Sequence, residues 1–190
     1  MASGIPMTAV DTANRYSTTA IVLHWLTAML IVCGFTLGLS MVGLPISRQK
    51  LQWYAWHKWI GITVFLLTCA RLAWRQWHPA PALPSMPPWQ MQAAFVSHSA
   101  LYVLLLAIPL SGWGFSSASG VQVVYLGLVP LPDLLPKDRR TAAILLLVHQ
   151  TLNFTLLTLV CLHVAAALKH HFVDRDTVLT RMLPLKMKKG

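Results

Sequence analysis

Charge is what this chain has least of. Only 11% of its 190 residues are Asp, Glu, Lys or Arg, and just five of them are acidic. An ordinary soluble domain carries about 25% charged residues. With 56% hydrophobic residues and a mean hydropathy of +0.59, this composition excludes a soluble fold and implies an integral membrane protein. Cysteine is scarce as well. Cys33, Cys69 and Cys161 all fall in apolar runs and form neither a zinc pattern nor a Cys-x-x-Cys-His haem-attachment motif. Any haem is therefore held non-covalently, as b-type. The stretches between apolar runs are too short to bury a core of their own, which excludes a separate catalytic domain. No repeat of fixed period and no low-complexity tract is present. The first apolar run also lacks the marks of a cleavable signal peptide: it is long, carries a histidine, follows a weakly charged leader and shows no clear Ala-x-Ala site, so it is expected to be retained.

What is present is four apolar runs, approximately Thr18 to Val42, Trp53 to Trp74, Phe95 to Phe115 and Thr141 to Lys169, each near the ~20 residues a bilayer core requires. The expected fold is all-α: a four-helix transmembrane bundle. Residues 1–14 read as a flexible polar tail, 15–184 as one membrane domain and 185–190 as a basic C-terminal tail. The loop from His78 to Trp89 carries Pro79, Pro81, Pro84, Pro87 and Pro88, which favours an extended connector over a helix. Ser116 to Arg140 is too broken to cross a membrane and is expected along the outer surface.

The net charge is +10, and the cations cluster at the ends of the apolar runs, as in a protein held between anionic headgroups rather than one bound to nucleic acid. Membrane lipid is thus an expected partner and nucleic acid is not. With the N-terminus inside, Arg15, Arg71, Arg75, Lys169, Arg175, Arg181, Lys186, Lys188 and Lys189 face the cytoplasm, while Arg48, Lys50, Lys58, Lys137, Arg139 and Arg140 face outward. This bias favours both termini inside.

The most informative pair is His149 and His163, fourteen residues apart on one uninterrupted apolar run. Fourteen residues make nearly four whole turns, so both imidazoles face one side, about 21 Å apart along the axis. Imidazole inside a membrane helix is costly unless it pairs or binds something, and two such ligands suit two haems, one near each membrane face. By depth, His24 shares a level with His163 near the inner face, and His57 shares one with His149 near the outer face. The candidate iron ligands are thus His24 and His163 for the inner haem, His57 and His149 for the outer. Bis-histidine ligation closes both axial positions and suits electron transfer. The competing reading is histidines satisfied by hydrogen bonds between helices. A zinc site is weaker, because the pairs lie too far apart to converge and no carboxylate joins them. His98 and His78 have no level-matched partner and read as interfacial. Arg71 and Arg75, one turn apart, are placed either for haem propionates or for lipid headgroups. The tryptophans mostly mark the interfaces.

The segments around these residues resemble the bacterial cytochrome b561 family: Arg15-Tyr16-Ser17 followed by His24-Trp25, then His57-Lys58, His149-Gln150, the run from Leu162-His163 to His170-His171-Phe172, and Arg181-Met182-Leu183-Pro184. The resemblance covers about Arg15 to Pro184. It implies a four-helix dihaem protein of the bacterial inner membrane that exchanges electrons with ubiquinone, with superoxide oxidase as the best-defined activity. It assigns the same two histidine pairs to the two haems, and maps a quinone site onto Ser17 and His170. Superoxide would then deliver its electron at the outer haem, where a cationic outer surface attracts a small anion. His170, at a helix C-terminus beside Lys169 and His171, suits hydrogen bonding to a quinone carbonyl and proton relay near neutral pH. The alternative function is a cytochrome b subunit serving a periplasmic dehydrogenase or hydrogenase as redox partner protein. A non-redox transporter predicts colourless protein.

Overall fold

The computed structural model describes residues 15–82 and 86–184. The two tails, Pro84 and the lysines 186, 188 and 189 lie outside the described residues. Four long helices dominate: α1 (Thr18–Val42), α2 (Arg48–Trp77), α3 (Pro88–Ala118) and α4 (Arg139–Phe172). Three of the starts are set by side chains that accept from the first free amides: Ser17 from Ala20, Ser47 from Lys50 and Asp138 from Thr141. The Thr141 hydroxyl and amide hold the Asp138 carboxyl below its ordinary value. α3 instead starts with Pro88 in its first turn, where a missing N–H costs nothing. That moves its start well before Phe95, and α2 likewise starts before Trp53.

α1, α3 and α4 are long and apolar enough to cross a membrane. α2 is less apolar, because it carries Lys58, Arg71 and Arg75 and a Trp-rich outer half. The chain is a multi-pass membrane protein. Its helices pack in chain order, α1 on α2, α2 on α3 and α3 on α4, whereas α4 makes almost no close backbone contact with α1 or α2. A small core of Val64, Leu104, Leu105, Ile108 and Leu156 fills the middle of the bundle. Large apolar side chains such as Val32, Leu39, Val103 and Phe154 point outward, as lipid-facing residues do. The buried hydroxyls of Thr27 and Thr68 are satisfied within their own helices by the carbonyls of Leu23 and Val64, so neither costs an unpaired polar group.

Between α3 and α4 a short hairpin pairs β1 (Val124–Tyr125) with β2 (Val129–Pro130). Its turn needs positive φ at Leu126 and Gly127. The Trp59 indole donates to the Val124 carbonyl at 2.7 Å, and the Tyr125 and Thr63 hydroxyls lie 3.0 Å apart, so the hairpin is tied to the N-terminal half of α2. At the other end, the chain after α4 returns through a 3-10 turn at Thr180–Met182. Trp25 donates to the Met182 carbonyl, Arg15 to the Leu183 carbonyl and Arg181 to the Ala82 carbonyl, which ties this return segment to the start of α1 and to the loop after α2.

Candidate functional site

The buried residues of α4 are Ala142 and Leu156, fourteen residues apart, and with His149, His163 and His170 they form a stripe that advances seven residues at a time. Seven residues are nearly two turns, so this stripe faces the bundle interior. The other helices repeat the spacing. Each carries two site residues fourteen apart: His24 and Gly38 on α1, His57 and Arg71 on α2, His98 and Gly112 on α3, His149 and His163 on α4. Because neighbours run antiparallel, these eight positions meet at two levels.

At the outer level the His57 and His149 ring centres are 6.2 Å apart, with their planes at 83°. Each ring is fixed by a neighbouring helix. His57 Nδ1–H donates to the Gly34 carbonyl at 3.0 Å, and His149 Nδ1–H donates to the Ile108 carbonyl at 3.0 Å, with Ser111 Oγ 3.1 Å away. Such bonds place the proton on Nδ1 and leave the Nε2 lone pair for a metal. The two glycines make room. A Cβ at Gly112 would stand 3.0 Å from His149 Cε1, and one at Gly38 would stand 3.2 Å from His57 Cε1. Beside the rings lies a cavity of about 70 Å³, lined by Gly34, Gly61, Pro109, Asn153 and both histidines.

At the inner level the His24 and His163 ring centres are 6.4 Å apart, at 58°. The surroundings differ. Arg71 Nη2 donates to His24 Nδ1 at 3.2 Å, and its guanidinium lies 5.5 Å from the centre of the Tyr102 ring. His98 lies 5.3 Å from His163. The expectation that His98 lacks a level-matched partner is thus corrected: α3 begins at Pro88, so His98 sits almost three turns inside the helix rather than at its end. Arg75 is exposed, and His78 stacks on Trp74 at 3.9 Å at the end of α2.

The spacing of both pairs suits a bracketed metal. Two metal–imidazole bonds of about 2.0 Å, plus the distance from each ring nitrogen to its ring centre, separate the centres by roughly 6.3 Å. The 6.2 Å and 6.4 Å pairs match; the His98–His163 distance of 5.3 Å is too short. Both matching pairs draw on α4 and a helix whose backbone stands off from it, which leaves a gap for a flat group. Arg71, with no carboxylate at its level among the described residues, could supply a cation for an acidic substituent of that group. At the outer level the residues fit a haem as they stand. At the inner level they fit once Arg71 leaves His24, since a ring bound through Nε2 must carry its proton on Nδ1 and cannot accept from a guanidinium.

Ser17 and His170 both lie at the inner end, and no hydrogen bond joins them among the described residues. Ser17 Oγ accepts from Ala20 N–H and from the Trp74 indole, leaving its own O–H to donate. His170 Nδ1 bonds Asp176 at 2.6 Å. At the opposite end of the bundle, the one expected to face outward, Arg48, Lys137, Arg139 and Arg140 are exposed, Lys58 is half-buried, and Lys50 is engaged with the Leu44 carbonyl at 2.6 Å. The glycine cradle and the Asp176–His170 contact were not anticipated from sequence. The glycines carried a readable signal, the same fourteen-residue offset from His24 and His98.

Residues 15–185 match the family described as Prokaryotic cytochrome b561. Similar proteins include two from Escherichia coli strain K12. Cytochrome b561 homolog 2 is 36% identical over 182 residues, covering 93% of this chain and 95% of the relative. Cytochrome b561 homolog 1 is 32% identical over 173 residues, covering 90% and 98%. A Yersinia pestis protein named Probable superoxide oxidase CybB is 29% identical over 179 residues, covering 91% and 98%.

Proposed function

Since the chain belongs to the prokaryotic cytochrome b561 family, membrane electron-transfer proteins that bind b-type haem, we propose that it is a dihaem superoxide:ubiquinone oxidoreductase of the bacterial inner membrane with both termini inside. The observation that carries this reading is the pair of imidazole couples at 6.2 Å and 6.4 Å, one at each level of the bundle. His57 and His149 would hold the outer haem and His24 and His163 the inner one, and Arg71, freed from His24, would supply the cation for an acidic substituent of the inner haem. When bound, the two haems pass single electrons across the membrane core.

The net reaction converts two superoxide anions, one ubiquinone and two protons into two molecules of dioxygen and one ubiquinol. The exposed Arg48, Lys137, Arg139 and Arg140 draw the anion toward the outer level and outnumber Asp133 and Asp138 there. The Gly34 and Ile108 carbonyls hold the outer rings, while Ser17 and His170 bind the quinone at the inner end. The relative named Probable superoxide oxidase lends the activity support.

Stopped-flow decay of superoxide by detergent-purified, haem-loaded protein tests the proposal. Beyond the one or two equivalents that reduce the haems, decay should accelerate over spontaneous dismutation only when ubiquinone is present; an unchanged rate removes the activity, and a redox difference spectrum without two b-haems per chain removes the scaffold. One feature favours a second reading, a subunit fed by a periplasmic dehydrogenase or hydrogenase: the hairpin exposes Leu126, Leu128 and Val129 at the outer end, a surface suited to a protein partner. Co-purification of a soluble redox protein, lost when Leu128 is changed to Ser, would favour it.

A further inference from the structure

Two of the five acidic residues in the whole chain, Asp174 and Asp176, stand together beside His170. His170 lies seven residues beyond His163 on the same stripe of α4, about 10 Å nearer the inner surface. The turn that brings the acids there is strained. α4 ends with the Val173 and Asp174 amides both bonded to the Lys169 carbonyl and the Asp176 amide to the His170 carbonyl, and Arg175 takes φ +55°, where glycine is the usual residue. Strain of this kind persists where the surroundings enforce it and clusters at functional sites.

The two carboxylates are not equivalent. Asp174 is held by the Lys169 ammonium, at 2.9 Å and 2.6 Å from its two oxygens. Among the described residues Asp176 has no such cation; one oxygen accepts from Val178 N–H at 2.9 Å and the other accepts from His170 Nδ1 at 2.6 Å, closer than the 3.2 Å from that nitrogen to Asp174. The His170 side chain is 15% exposed, and among the described residues its Nε2 makes no hydrogen bond.

We propose that Asp176 is the positioning residue for proton delivery to ubiquinone: it keeps the His170 proton on Nδ1, so that Nε2 is the nitrogen that gives a proton to the quinone oxygen. The proposal rests on His170 belonging to the quinone site. In the step, the Nε2–H bond of the imidazolium breaks as an O–H bond forms on the quinone, and the accompanying electron comes from superoxide through the haems. His170 is left neutral, with Nδ1–H still on Asp176, and regains its proton at Nε2 from the inner aqueous phase. A buried carboxylate behind an imidazole serves this purpose elsewhere, orienting the ring and stabilising its charged form without itself taking the proton.

The test separates the two half-reactions in purified, haem-loaded full-length protein. A pulse of superoxide without quinone reads haem reduction, and a soluble short-chain ubiquinone then reads haem reoxidation. Asp176→Asn should leave haem content, the redox spectrum and reduction by superoxide unchanged. It should slow reoxidation at saturating quinone roughly 100-fold, with an enlarged solvent deuterium isotope effect. Asp176→Glu should restore most of the rate, and Asp174→Asn should remain within a few-fold of the parent. Reoxidation of Asp176→Asn at the parental rate overturns the proposal, as does a change confined to the quinone concentration needed. If Asp176→Asn loses its haem, Asp176→Glu carries the test, and a Glu variant that retains haem yet is reoxidised 100-fold slowly also overturns it. A parent protein that superoxide reduces but ubiquinone does not reoxidise instead removes the quinone site, and the proposal with it.

Discussion

At the scale of single residues, the two levels differ in how their rings are prepared. The outer imidazoles are set by backbone carbonyls of other helices, and the inner His24 is met by a guanidinium. Changing one ligand should therefore empty one level without the other. His149→Ala should lose the outer haem and keep the inner, and His163→Ala the reverse, measured as reduced b-haem per protein after each change. His98→Ala gives the complementary result. Its ring stands too close to His163 to share a metal with it, so this variant should keep two haems per chain whereas His24→Ala should keep one. Two haems after His24→Ala would identify His98 as able to replace it.

At the scale of the helix, what bears on the rings is what the facing helix omits. Gly112→Ala and Gly38→Ala each push a methyl group against an outer imidazole, at 3.0 Å and 3.2 Å, so they should reduce outer haem occupancy and spare the inner haem. Gly43→Ala, where a Cβ meets nothing within 4 Å, should change neither. Difference spectra of the three variants against the parent measure this. The elements also explain what the sequence disclosed. The histidine pairs were legible because a helix converts a fourteen-residue offset into a shared face, whatever its ends do. His98 was misread because its depth was judged from an end, and a proline-rich loop conceals the fact that Pro88 can open a helix as well as precede one. The hairpin after α3 was equally hidden: its turn places Leu126 at positive φ, which its residue type does not advertise. The Asp176–His170 contact depends on a left-handed Arg175 that no local pattern announces.

At the scale of the whole molecule, charge is divided between the ends of the bundle. On the proposed superoxide reaction, the cations at the Arg48 and Arg139 end would act on the anion only at long range, so replacing Arg139 and Arg140 with Gln should slow reduction of the haems by superoxide several-fold at low ionic strength. The difference should fade as salt is added, since the Debye length falls to about 8 Å near physiological ionic strength. Stopped-flow reduction rates against salt concentration give both results. A deficit that persists at high salt would point to a folding defect.

The fourteen-residue offset shared by all four helices has a consequence for how such a chain can change in length. One residue added between His57 and Arg71, or between His149 and His163, turns everything beyond it by about 100° and swings one member out of the bundle axis. Seven added residues restore the heading but lengthen the path between levels by about 10 Å. Loops and tails can thus gain or lose residues freely, while the stretch between the two levels is confined to whole pairs of turns. The spacing of the two histidine pairs, and of the haems proposed to lie between them, is accordingly inherited from helical pitch.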